Sequence, residues 1–205
     1  MAISVEIMLK NHPIVLHDSV YSVEHGSVIT FEMLKFYLSN FQLWQNDSAV
    51  YTELNSVHLV DVSDTASQKI MLHPTPGLRF NKVICNLGID SVTNVSGAMG
   101  GDLDSTKGMY WTWQSGYVNV KMEGTCTACY PTKNDFEFHL GGYQNPYHSV
   151  QTLEWKTTAK SNFNLILDLD QFFTEVDLTK QKHIMSPGAD AAHLSLQLAK
   201  WFSLK

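Results

Sequence analysis

Gly108-Met109-Tyr110-Trp111-Thr112-Trp113-Gln114-Ser115-Gly116-Tyr117-Val118-Asn119-Val120-Lys121-Met122 is the stretch whose reading decides the fold. Val118, Val120 and Met122 alternate with Tyr117, Asn119 and Lys121, the period of two that marks a strand with one face toward a core. Aromatic and β-branched side chains suit a pleated surface. A regular strand carried back through Gly116 would place Trp111 and Trp113 together, on the face of Tyr117, Asn119 and Lys121. Glycine inside a strand is also where a bulge resets parity. A reset at Gly116 turns both indoles into the core, and because their burial is strongly favourable by area we expect that bulge.

The same signature recurs outward in both directions. Ile3, Val5, Ile7 and Leu9 alternate with polar or smaller neighbours, and Phe36–Trp44 is rich in aromatics. Further strand runs are Val57–Val62, Leu78–Leu87, Phe136–Leu140, Val150–Lys156 and Phe163–Leu169. Turn chemistry separates them at Asn46-Asp47-Ser48, His73-Pro74-Thr75-Pro76-Gly77 and Tyr143-Gln144-Asn145-Pro146. Short strands at this spacing predict an all-β chain, mainly antiparallel, folded as a β-sandwich or barrel. After Pro187-Gly188 the pattern changes. Ala191, Leu194, Leu198, Trp201 and Phe202 fall on one helical face, and Asp190 suits a helix start, which predicts a C-terminal helix from about Asp190. No linker or repeat divides the chain, so residues 1–205 read as a single domain with one core.

Charge narrows the function classes. The net charge is −6 and no Lys/Arg run exists, so neither nucleic acid nor an anionic membrane is an expected partner. No apolar run approaches the length of a transmembrane segment. Met1–Lys10 alternates rather than forming a basic start and an apolar block, so it is not a signal peptide. The protein is therefore cytoplasmic, or its signal has been removed.

The search for chemistry finds no Gly-x-Ser-x-Gly elbow, phosphate loop, His-Glu-x-x-His helix or carboxylate pair, and an enzyme is not expected. Cys126 and Cys129 have C-x-x-C spacing, open to a local disulfide, half a zinc site, a redox pair or free thiols. We expect a surface loop between turn-rich flanks, disulfide-bonded in an oxidising compartment. Cys85, in an apolar strand, reads as a small core residue. The irregular stretch Gly88–Gly108 carries Asp90, Asp102 and Asp104, suited to a solvated loop or a hard cation. In Phe136-Glu137-Phe138-His139-Leu140-Gly141-Gly142, parity puts Phe136, Phe138 and Leu140 on one face and Glu137 and His139 on the other. His139 becomes a metal candidate only if another of the nine histidines converges on it.

Three segments together carry a resemblance. Leu87-Gly88-Ile89-Asp90-Ser91-Val92-Thr93-Asn94, Met109–Tyr117 and Phe136–Gly142 are similar to the MbnP-like copper-binding family. The tail Met185-Ser186-Pro187-Gly188 matches its Bacteroidetes-type branch. The resemblance spans most of the chain. It implies a periplasmic or secreted β-fold that binds copper through two histidines and a kynurenine made from tryptophan, with a di-haem peroxidase-like partner making that oxidation. It transfers a metal role to His139 by motif, and Trp111 and Trp113 match the family's Trp-x-Trp, either as a modified residue or as packing. Val95 stands where many members carry a histidine. The alternative is a metal-free β-sandwich module that binds or adheres through exposed aromatics.

Overall fold

The computed structural model describes residues 1–24, 27–114, 116–129, 133–158 and 160–205. His25, Ser115 and the turn segment Tyr130-Pro131-Thr132 lie outside the described residues. The chain begins with β1 (Ala2–Leu9), β2 (His12–Pro13), β3 (Tyr21–Ser22), β4 (Val28–Gln45), β5 (Ser48–Thr52), β6 (Val57–Asp61), β7 (Lys69–Met71) and β8 (Lys82–Leu87). A short helix α1 (Ser91–Val95) and 3-10 turns at Gly101–Leu103 and Ser105–Lys107 occupy the long irregular stretch. Then come β9 (Tyr110–Trp111), β10 (Gly116–Cys126), β11 (Asp135–Gly141), β12 (Gln151–Lys156), β13 (Asn162–Asp168), α2 (Asp170–Glu175), β14 (His183–Ile184), α3 (Ala189–Ala199) and β15 (Phe202–Leu204).

Two curled sheets enclose the main core, and α3 is the C-terminal helix the sequence predicts. One sheet is ordered β15-β13-β1-β2 with β7 also on β1; the larger runs β12-β8-β4-β10-β11-β14, with β3, β5 and β6 on β4 and β9 on β10. Pairing is antiparallel except for β1 with β13 and β11 with β14. The spine is β4. Asn40 has φ 54°, and the β4–β8 ladder shifts register between Ser39 and Gln42. That irregularity explains why Phe36–Trp44 alternates poorly. The strand also has cover on both faces there, so neighbours Phe36 and Tyr37 are both buried.

The main core is filled by Ile3, Val5 and Ile7 of β1, Val120 and Met122 of β10, and Phe136, Phe138 and Leu140 of β11, each on the inward parity of its strand. Phe31, Phe136 and Phe173 meet edge to face, centroids 5.9–6.1 Å apart. Helix α3 adds Ala191, Leu194 and Leu198. It stops at Ala199: Phe202, predicted on its face, instead starts β15 and pairs with Leu167 of β13, because the sheet edge offers backbone partners that a longer helix would not. A second, smaller cluster lies beside the main core, as a satellite under a long loop does. Tyr37, Leu59, Ile89, Leu103, Met109, Trp111, Tyr117 and Val118 form it, under the 88–111 segment.

Candidate functional site

The motif segments, distant in sequence, meet on one buried polar scaffold. Gly88 has φ 107°, and a Cβ there would lie 2.5 Å from the Asn119 side chain, so only glycine lets the chain leave β8 against Asn119. Asn119 accepts from Ile89 N–H at 2.9 Å and donates to Ser149 Oγ at 2.8 Å. Ser149 Oγ in turn donates to the Gly142 carbonyl at 3.0 Å. Asn94 Nδ2 donates to the carbonyls of Ile89 and Asp90, and its Oδ1 accepts from Tyr117 N–H at 2.8 Å. All three side chains are buried and satisfied, which fixes the mutual placement of α1, the start of β10 and the end of β11. The visible signal was an asparagine inside an apolar strand run; its partners were not readable.

On this scaffold sits a surface cleft of about 180 Å³. Trp111, Tyr117, Tyr143 and Tyr147 wall it, with the backbone of Gly116 and Gly142. Gln114, Gln144 and Asn145 supply carboxamides. Sequence reasoning read Tyr143–Pro146 only as a turn and missed this wall.

The two indoles part company. The strand run expected over Tyr110–Met122, with a bulge at Gly116, instead ends at Trp111 and resumes at Gly116, so Trp113 lies in the connection and not on a shared strand face. Trp111 is 7% exposed and Trp113 65% exposed, their ring centroids 5.9 Å apart and tilted by 52°. Trp111 joins the second cluster rather than the main core, packing so that a Cβ on Gly141 would touch its ring at 2.6 Å. The ladder irregularity falls between Val118 and Val120, not at Gly116, which puts Val118 in the smaller cluster and Val120 in the main one.

His139 takes the parity predicted, away from Phe138 and Leu140. It is 8% exposed, and its Nε2 lies 2.6 Å from Glu123 Oε1. Lys121 Nζ is 3.3 Å from the same oxygen. Burial holds the imidazole below its ordinary pKa of 6.5, opposed by the Glu123 hydrogen bond. Burial would raise Glu123, but hydrogen bonds from His139 and the Lys121 charge outweigh it and hold the carboxyl low. An ionised carboxylate only accepts, so neutral His139 donates from Nε2 and keeps a lone pair at Nδ1 alone. Among the described residues no group of three or more His, Cys, Asp or Glu could hold a metal ion. Val95 at the end of α1 is 69% exposed and offers no ligand atom. At His139 itself the Glu123 contact leaves Nδ1 as the ring nitrogen with a lone pair to offer.

The remaining candidates are accounted for by local bonding. Asp90 accepts from Thr93 N–H as the α1 cap, Asp104 from Thr106 N–H, and Asp102 bonds Lys107 at 2.7 Å and Leu59 N–H at 3.1 Å. Asp90 and Asp104 thus bond donors close by in sequence, and Asp102 ties the loop to β6 through Leu59. Cys126 and Cys129 are joined by a disulfide, not shared by zinc. Their place is not the surface loop expected. Cys126 ends β10, a 3-10 turn follows, and both side chains are 1% exposed within the main core.

Comparison with known proteins gives one fold and one family. A family profile described as MbnP matches residues 1–186. The solved structure of MbnP from Methylosinus trichosporium superposes with a TM-score of 0.61 at 14% identity, covering 92% of this chain and 80% of that one. No curated protein sequence matches.

Proposed function

Because this chain belongs to the MbnP family, we propose that it is a non-catalytic binding protein that works in the periplasm or outside the cell. The ligand reading best supported by the geometry is a metal-free one: an organic ligand held at the aromatic cleft beside Trp111 and Trp113. The observation that carries it is the convergence of the motif segments on a rigid scaffold whose open product is that cleft. Buried, satisfied polar networks fix a site geometry in advance, as a preformed binding pocket requires. The Cys126–Cys129 disulfide supports an oxidising compartment.

Copper handling is the second reading, favoured by the family itself and by His139 in its motif. It brings with it a di-haem peroxidase-like partner acting on Trp111 or Trp113, of which Trp113 is the accessible one. Imidazole suits copper, but the Glu123 contact occupies one ring nitrogen of His139. Titration with Cu(I) and Cu(II), with intact mass recorded on protein from its native compartment, separates the two. The first reading expects no stoichiometric copper and unmodified tryptophan. Stoichiometric copper that is lost in His139→Ala would overturn it in favour of the second.

A further inference from the structure

We propose that the cleft recognises one ring of a neutral glycan chain, with Trp113 receiving the adjoining ring; this rests on the reading of the cleft as an organic-ligand site. Size argues first. A cleft of about 180 Å³ is smaller than the pockets, roughly 300–1,000 Å³, that enclose a whole small ligand. It fits one unit of a longer molecule. Chemistry argues second. Of the aromatic residues that line it, Tyr143 is partly exposed and Tyr147 is 46% exposed, surface that a pyranose can cover with its C–H face, and Gln114, Gln144 and Asn145 add carboxamides. Each carboxamide both donates and accepts, and so does each sugar hydroxyl. No Lys, Arg, Asp, Glu or His is among the described lining residues. The described lining offers hydrogen bonds but no opposite charge, which suits a neutral ligand better than a charged one.

Placement argues third. Trp113 is a large apolar side chain left 65% exposed although it lies against Trp111, a residue that lines the cleft. It sets a second, exposed aromatic ring beside a residue that lines the cleft, where the next ring of a linked chain could rest. Gln114, which lines the cleft, follows it directly in sequence. The wall is also pre-ordered. Asn94 holds Tyr117 N–H, and Ser149 N–H and Oγ both hold the Gly142 carbonyl, so little ordering remains for the ligand to impose.

The test is calorimetric titration of the full chain with cellohexaose, xylohexaose, maltohexaose and chitohexaose, alongside glucose, and with indole as a non-sugar probe. NMR shifts would locate each response. The expected result is saturable binding of at least one hexamer, with glucose weaker by about tenfold, and Trp113→Ala weakening the hexamer by about tenfold while leaving glucose unchanged. Tyr147→Ala should weaken both. Indole shifting cleft resonances while no sugar does would overturn the glycan assignment and leave the cleft as an organic-ligand site. No shift from indole or any sugar would overturn both readings. Binding located away from the cleft, or unaffected by both variants, would also sink the proposal.

Discussion

His139 Nε2 and Glu123 Oε1 lie 2.6 Å apart on a diagonal of the β10–β11 ladder, since the direct partner of His139 is Lys121 and that of Glu123 is Glu137. The contact ties a neutral imidazole to an ionised carboxylate on the sheet face turned from the main core. Its linkage to pH has one sign. Both folded-state values are depressed, so the unfolded chain binds protons more readily at each group. His139 contributes stability above its ordinary 6.5 and loses it as pH falls below that; Glu123 follows below its ordinary 4.5. Melting temperature should therefore decline as pH is lowered from 6.5, and His139→Gln should flatten the upper part of that decline. A melting temperature that rises on acidification through this window would contradict the assignment.

Asn94→Ala should cost about 2–3 kcal/mol, because it strands the buried Tyr117 N–H and the Ile89 carbonyl, while the Asp90 carbonyl keeps the backbone N–H of residue 94. Hydrogen exchange should speed up at Tyr117 and through residues 88–108, while the β1–β13 ladder keeps its protection. Uniform loss across both sheets would show that Asn94 is not a local anchor.

At Gly141 an added methyl meets Trp111 at 2.6 Å and the Tyr117 carbonyl at 2.7 Å. Gly141→Ala should lose about 1–3 kcal/mol by overpacking and shift the tryptophan emission toward the red. Gly100→Ala is the control: its φ of −93° suits any residue and nothing lies within 4 Å of the new atom, so stability should stay within about 0.5 kcal/mol.

Thiol titration of the unreduced protein should find no reactive cysteine in the native state and one after unfolding. Cys85 is free but wholly buried, which raises its thiol pKa, and the other two are joined. The double variant Cys126→Ser, Cys129→Ser should be less stable by about 2 kcal/mol in urea unfolding, a modest loss because the closed loop is short. Three titrating thiols in unreduced, unfolded protein would refute the bridge.

What the sequence determined by itself is local and periodic. Alternation of side chains is a property of a few consecutive residues, so Ile3 to Leu9, Phe136 to Leu140 and the 191–198 face of α3 were assigned to their inward sides without any partner in view. The parity of His139 followed from the same period. The motif resemblance likewise gave the family, since motifs are contiguous. The tertiary structure decided what depends on register and on separate segments meeting. Trp111 and Trp113 share a period but not a surface, because the chain turns between them and pairs Trp111 with Gly116. Glu123 became the partner of His139 through a ladder set sixteen residues apart. The cleft draws on Trp111, Tyr117, Tyr143, Tyr147 and Pro187, which no local pattern connects. Contacts of that range are fixed by backbone pairing and by buried asparagines and serine satisfying one another, and those energies exist only once the sheets have closed.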